Sequence, residues 1–118
     1  MGVTIYGIPN CDTMKKARAW LQAQGVVHDF HDYKKQGADT AQVIRWCTAL
    51  GWQKLLNRAG TTFRKLPQAD RDDLTEARAI SLMQAQPSLI KRPVLDVDGQ
   101  LTVGFHPETY AAACAKYC

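Results

Sequence analysis

The alternation of apolar and polar positions predicts the outer elements of the chain clearly. Val3-Thr4-Ile5-Tyr6-Gly7 carries β-branched and aromatic residues in strand alternation and predicts a buried first strand. Ile8-Pro9-Asn10 breaks it. From about Asp12 to Gln24, Met14, Ala17 and Leu21 recur on one helical face with Trp20 beside them, and Gly25 supplies a C-terminal stop. Val26 to Tyr33 reads as a second strand, closed by Lys34-Lys35-Gln36-Gly37.

The middle of the chain is helical in pattern. Asp39 can cap a helix with Val43, Ile44, Cys47 and Leu50 on one face, ended by Gly51. Trp52 to Asn57 predicts a further short helix, and Arg58 to Leu66 a loop. A helix follows from about Asp73 to Gln86 with Leu74, Ala77, Ile80 and Met83 inward. Pro87 ends it, and Ser88 can cap a single turn. The period then changes. Val94-Leu95-Asp96-Val97 and Leu101-Thr102-Val103 flank Asp98-Gly99, a strong hairpin signal. Pro107 opens a last helix, Glu108 complements its dipole, and Tyr110 and Cys114 share a face. Strand, helix, strand, helical block, strand, strand, helix predicts an α/β fold with a four-stranded mixed sheet and helices on both faces. We read residues 1–118 as one domain in which the helical block, about 38–90, is too small to fold alone.

Charge and composition narrow the function. The net charge is +4, but Lys and Arg are interleaved with acids, and no block of five or six like charges exists. The domain is therefore not expected to bind nucleic acid. No apolar run approaches the ~20 residues of a membrane span. The N-terminal segment does not read as a secretion signal, which predicts a cytoplasmic protein, and nothing in the pattern demands more than a monomer. The cysteines at 11, 47, 114 and 118 include no Cys-x-x-Cys pair, so neither zinc nor a disulfide scaffold is predicted. His28 and His31, with Asp29 and Asp32, superficially suggest a metal site, but strand alternation divides the histidines between two faces. Cys47 and Cys114 read as packing residues and Cys118 as exposed. Trp20, Trp46 and Trp52 read as helix packing.

Cys11 stands apart because it lies where a strand gives way to a helix. The first turn of a helix presents unpaired N–H groups and the positive end of the dipole, both of which favour a thiolate. Thr13 and Lys15 strengthen that setting, and Asp12 opposes it. The alternative for any isolated cysteine is a small packing residue. Arg92-Pro93 precedes the third strand, and on base rates alone its peptide bond is trans.

Tyr6-Gly7-Ile8-Pro9-Asn10-Cys11-Asp12-Thr13-Met14-Lys15-Lys16-Ala17, Asp32-Tyr33, Gly60-Thr61-Thr62-Phe63-Arg64-Lys65-Leu66 and Pro87-Ser88-Leu89-Ile90-Lys91-Arg92-Pro93-Val94 occur in order. Together they resemble the arsenate reductase (ArsC)/Spx/YffB family, and within it the YffB-like branch. The resemblance implies a thioredoxin-like fold with a helical insertion between strands 2 and 3. It makes Cys11 the reactive thiol, Pro93 a cis-proline facing it, and Arg92 an anion anchor, a task suited to the guanidinium fork.

Departures from the family pattern shift the expected function. Asn57 stands where arsenate reductases carry an arginine, with Arg58 adjacent, and His106 stands where they carry another. Met14 stands where Spx regulators complete a Cys-x-x-Cys. A lone thiol completes a redox cycle only with a second thiol. The expectation is a glutathione-linked thiol reductase or thiol-transferase, with glutathione as co-substrate. Its binding candidates are Asn10, Asp12, Thr13, Lys15, Arg58, Arg64, Pro93 and His106. Arg58 and Arg64 enter because the Gly60-Thr61-Thr62 loop is expected to approach the sulfur in this fold. His106 can instead cap the last helix. The alternative is an Spx-like protein-binding regulator that contacts RNA polymerase without redox catalysis.

Overall fold

The structure, a computed structural model, describes residues 2–118. In chain order the elements are β1 (Val3–Gly7), α1 (Asp12–Ala23), β2 (Asp29–Asp32), α2 (Tyr33–Gln36), α3 (Thr40–Leu50), α4 (Trp52–Leu55), α5 (Thr61–Arg64), α6 (Gln68–Arg71), α7 (Glu76–Ala85), β3 (Val94–Val97), β4 (Gln100–Val103) and α8 (Pro107–Ala113). The chain forms two compact units. One takes the chain up to Gln36 together with Arg92–Cys118, and the other is Gly37–Lys91.

The first unit is built on a four-stranded sheet of order β2-β1-β3-β4, with β1 and β2 parallel and the β1–β3 and β3–β4 pairs antiparallel. Val3 and Ile5 point from β1 into a core shared with Leu95 and Val97 of β3, Met14, Ala17 and Leu21 of α1, and Tyr110 and Cys114. α1 ends in a Schellman motif: the Gly25 N–H donates to the Gln22 carbonyl and the Val26 N–H to the Leu21 carbonyl, with Gly25 at φ +71°. The hairpin turns through Asp98 (φ 52°) and Gly99 (φ 90°), the paired positive angles of a type I′ turn. This is the four-stranded mixed sheet the chain pattern predicts, arranged as the family resemblance implies for a thioredoxin-like fold.

β2 is shorter than the Val26–Tyr33 expectation. Asp32 stops it by accepting from the Lys34 N–H at 2.8 Å while its own N–H donates to the Gln36 side chain at 3.2 Å, which nucleates α2. Tyr33 therefore belongs to a helical turn and is buried.

The second unit is helical, with Val43, Trp46, Cys47, Leu55, Leu56, Phe63, Ala79, Met83, Leu89 and Ile90 buried. A one-residue bridge pairs Leu56 with Ile90. It is flanked by hydrogen bonds from the Asn57 N–H to the Leu89 carbonyl (2.7 Å) and from the Lys91 N–H to the Leu55 carbonyl (2.8 Å). Three expectations fail here. Ile44 is 46% exposed, because α3 buries Val43, Trp46 and Cys47 instead. Residues 58–66 contain the one-turn α5 that buries Phe63, an element too short for periodicity to reveal. α7 begins at Glu76 rather than Asp73, which lies at φ 51°, and the Thr75 side chain caps it by accepting from the Arg78 N–H. Its buried residues are Ala79 and Met83, four apart, whereas Ala77 is exposed. A run of positions three apart drifts around a helix of 3.6 residues per turn, so Leu74 and Met83 cannot share a face.

Candidate active site around Cys11

The sheet register brings three chain segments to one end of the first unit. Gly7, the last residue of β1, pairs with Asp32 of β2, and Tyr6 pairs with Val94, the first residue of β3. The segments just outside those pairs are 8–11, 33–36 and 92–93, so Cys11, Tyr33 and Arg92 converge without being close in sequence. Gly7 is what lets α1 begin so near the strand. A Cβ there would overlap Met14 Sδ and lie 2.8 Å from Met14 Cε.

Cys11 is the N-cap of α1, with extended backbone (φ −130°, ψ 128°), and its carbonyl accepts the first helical bond from the Lys15 N–H at 3.0 Å. It is half-buried, and its thiol is free. Burial pushes its pKa up. The Met14 amide, a hydrogen bond from Arg92, the Thr13 amide and the positive charge of Arg92 together outweigh that, so the net shift is downward. The sulfur does not meet the geometry of a full side-chain cap. The two amides act on it as oriented N–H dipoles rather than as ideal hydrogen bonds.

Arg92 is half-buried, the Arg92–Pro93 peptide bond is cis, and Pro93 is buried. That bond departs from the base-rate reading. Asn10, Asp12, Thr13 and Lys15 are exposed around the sulfur's end of α1. Thr13 takes part through its amide. His106 is exposed at the N-cap of α8, and its side chain makes no capping bond, so of its two alternatives the capping imidazole is not what the structure shows. Arg58 and Arg64 are exposed residues of the helical unit, the former with its guanidinium 5.7 Å from the Trp52 ring centroid.

Two contributors escaped the sequence reading. The Met14 amide is backbone, and no residue type announces it. Tyr33 is 3% exposed; burial and Tyr6 raise the pKa of its hydroxyl while the charge of Arg92 lowers it, which places the phenol in the field of the same guanidinium. The Asp32-Tyr33 pair carried that signal, but only as part of a motif. The His31 ring lies between the two tyrosines, 5.0 Å from Tyr6 and 5.9 Å from Tyr33.

A thioredoxin-like sheet with a single half-buried cysteine at the first helix and an arginine–cis-proline step opposite it defines a thiol-bearing class. A sequence model of the ArsC family matches residues 6–113, and the chain belongs to that family. It is 40% identical over 113 residues to an uncharacterized protein of Haemophilus influenzae, covering 96% of this chain and 99% of the relative. It is 28% identical to the global transcriptional regulator Spx of Streptococcus mutans, covering 93% and 81%. Among solved structures, the YFFB protein aligns with a TM-score of 0.92 at 60% identity, covering 94% of this chain and 97% of that one. An arsenate reductase (ArsC) related protein from Brucella melitensis aligns with a TM-score of 0.77 at 58% identity, covering 95% and 93%.

Proposed function

We propose that this protein is a cytoplasmic, monomeric, glutathione-linked thiol reductase or thiol-transferase of arsenate reductase type, with Cys11 as its nucleophile. The observation that carries the reading is the position of Cys11 at the N-cap of α1, where the Met14 and Thr13 amides and Arg92 surround its sulfur and favour the thiolate. The thiolate attacks the glutathione sulfur of a mixed disulfide. The Cys11–glutathione S–S bond forms as the substrate's S–S bond breaks, and the substrate leaves as a thiolate that takes a proton from water. A second glutathione thiolate then attacks the glutathione sulfur held on Cys11, releasing glutathione disulfide and restoring the Cys11 thiolate. Arg92 stabilises the thiolate at the start and end of this cycle. Lys15, the Thr13 amide and the peptide around Pro93 are the groups offered to glutathione's carboxylates and backbone, with Asn10, Asp12 and His106 at the margin. Arsenate is the narrower variant, and Asn57 and His106 leave it fewer arginine ligands.

The test is the pH dependence of Cys11 alkylation with and without millimolar glutathione. A Cys118→Ser background suffices, because Cys47 and Cys114 are buried and burial raises both thiols, Cys47 to about 11. A thiolate pKa below the ordinary ~8.5 with protection by glutathione supports the reading. An ordinary pKa with no protection sinks it.

The similarity to Spx along nearly the whole chain favours one second reading: a protein-binding regulator that contacts RNA polymerase without redox catalysis. Met14 removes the Cys-x-x-Cys switch from that reading but does not argue against binding. Retention of the polymerase α subunit by both the wild type and Cys11→Ser supports it, and absence of retention removes it.

A further inference from the structure

We infer that one face of α1 is a docking groove for an acidic polypeptide segment, the stretch of a protein substrate that flanks its exchanging cysteine. This rests on the thiol-exchange reading of Cys11 and names the substrate class. A groove of about 250 Å³ is lined by Pro9, Met14, Lys15, Arg18, Ala19 and Gln22. It begins two residues before Cys11 and follows the i, i+4, i+8 row of the helix.

Three observations select the occupant. The first is charge: Lys15 and Arg18 line the groove, no acid does, and among the described residues neither cation has an acidic partner. The second is that Arg18 is held in place rather than free to sweep through solvent. Its guanidinium carbon lies 4.5 Å from the Phe30 ring centroid, and its Nε is shut away from solvent with no hydrogen-bond acceptor. Stacking of this kind leaves the outer guanidinium nitrogens as a fixed fork for a carboxylate. The third is shape. From Met14 to Gln22 the helix rises about 12 Å, the length of three or four extended residues. Pro9 and Ala19 supply exposed apolar wall along it, above the buried Met14, and the Gln22 amide supplies a partner for peptide backbone at the far end. A lone anion uses none of that length.

The probe is a fluorescein-labelled peptide with serine in place of the cysteine followed by Glu-Glu-Asp, compared with its Gln-Gln-Asn counterpart by polarisation at low salt. Because the probe has no thiol, its binding reads the groove whether or not Cys11 exchanges. In the wild type the acidic peptide should bind about tenfold tighter, the scale of two partly exposed charge contacts. That preference should shrink about threefold or more in Arg18→Gln, shrink less in Arg18→Lys, which keeps the charge but loses the stacked fork, and fade as salt rises. Amide shifts at Lys15, Ala19 and Gln22 in the wild-type protein should move with the acidic peptide, a readout that depends on no variant folding. The inference is overturned by equal affinity for the two peptides, by a preference that survives Arg18→Gln, or by shifts elsewhere than α1. Lys15 is shared with the proposed glutathione site, so partial competition by S-methylglutathione is expected; complete displacement at equimolar concentration would assign the groove to glutathione instead. Equal binding of an RNA oligonucleotide would make it a generic anion patch. If the peptide binds as expected but Cys11 exchanges with no disulfide, the groove stands and the enzymatic reading falls.

Discussion

Cys11 in the sheet unit and Cys47 in the helical unit are both attached to helices, yet their surroundings send their ionisation in opposite directions. Cys47 sits inside α3, where every nearby backbone N–H is committed to the helix ladder. Burial, with a smaller contribution from Glu76, pushes its thiol up to about 11. Cys11 sits one residue before α1, where the Thr13 and Met14 amides have no helical acceptor, and Arg92 adds a positive charge. Cys114, in the same unit as Cys11 and fully buried, is raised like Cys47. The contrast teaches that the thiol's chemistry is set by its position relative to a helix end and by one cation, not by the unit that carries it.

The strongest way to break this contrast is to remove each sulfur. Cys11→Ser should abolish thiol–disulfide exchange, by at least about a thousandfold, because the hydroxyl is a far weaker nucleophile at neutral pH. Cys47→Ala should leave the exchange rate within about twofold. Equal loss in the two variants, in a glutathione-coupled assay, would mean that Cys11 holds no special role.

The second test strikes the buried interior of the helical unit. Trp46 is the largest fully buried side chain. Trp46→Ala should cost about 3–5 kcal/mol in urea unfolding, while the alkylation rate of Cys11 in the remaining folded protein stays near that of the wild type. A changed rate would tie the thiol's electrostatics to the helical unit.

A smaller effect is expected from the cation. Arg92→Gln keeps a hydrogen-bond donor but removes the charge, so the Cys11 pKa should rise and alkylation at neutral pH should slow about fivefold, the scale of a partly exposed charge pair. The sign follows from the thiolate fraction. A group whose pKa lies lower in the folded state is more ionised at neutral pH, and removing the cause reduces that fraction. An unchanged pH profile would leave the amides alone as the source of the shift.

The smallest effect concerns the latch that ties the C-terminus to the hairpin. Asp98 accepts from the Tyr117 hydroxyl at 2.7 Å and pairs with Lys116 at 2.9 Å, and these bonds hold its carboxyl below the usual range. A lowered folded-state pKa stabilises the fold above the unfolded value near 4, and that contribution is lost as pH falls through the folded value. Asp98→Asn should therefore lower the melting temperature by a degree or so at pH 7 (about one exposed ion pair) and by less at pH 3. A difference that grows on acidification would contradict the latch.

The two units also differ in how much of them the sequence reveals. β1, α1, the hairpin and α8 each carry a strong local signal: strand alternation, a wide apolar stripe closed by Gly25, an Asp-Gly turn, and Pro107 at a helix start. Such signals are local in origin, and the structure keeps them. In the helical unit α4, α5 and α6 are single turns of four residues, too short for an apolar stripe to repeat. Three-spaced apolar runs such as Leu74, Ala77, Ile80 and Met83 mislead there, because packing rather than pattern decides which side turns inward. Tertiary packing likewise exposes Ile44 and buries Trp46.

For the site, the sequence by itself determined that Cys11 stands at a strand-to-helix junction, since Pro9-Asn10 and the apolar row from Met14 onward are both written locally. It also marked Arg92-Pro93 as a motif. What only the tertiary structure decided is which groups face the sulfur. The Tyr6–Val94 pairing fixes which residues beyond β1 meet those before β3, and the Gly7–Asp32 pairing adds Tyr33 to the same end of the sheet. Strand register joins residues some eighty positions apart in the chain, and it depends on the burial of whole faces rather than on any local run of residues. The groups that tune a thiolate act over a few ångströms of space, so their identity follows from that register.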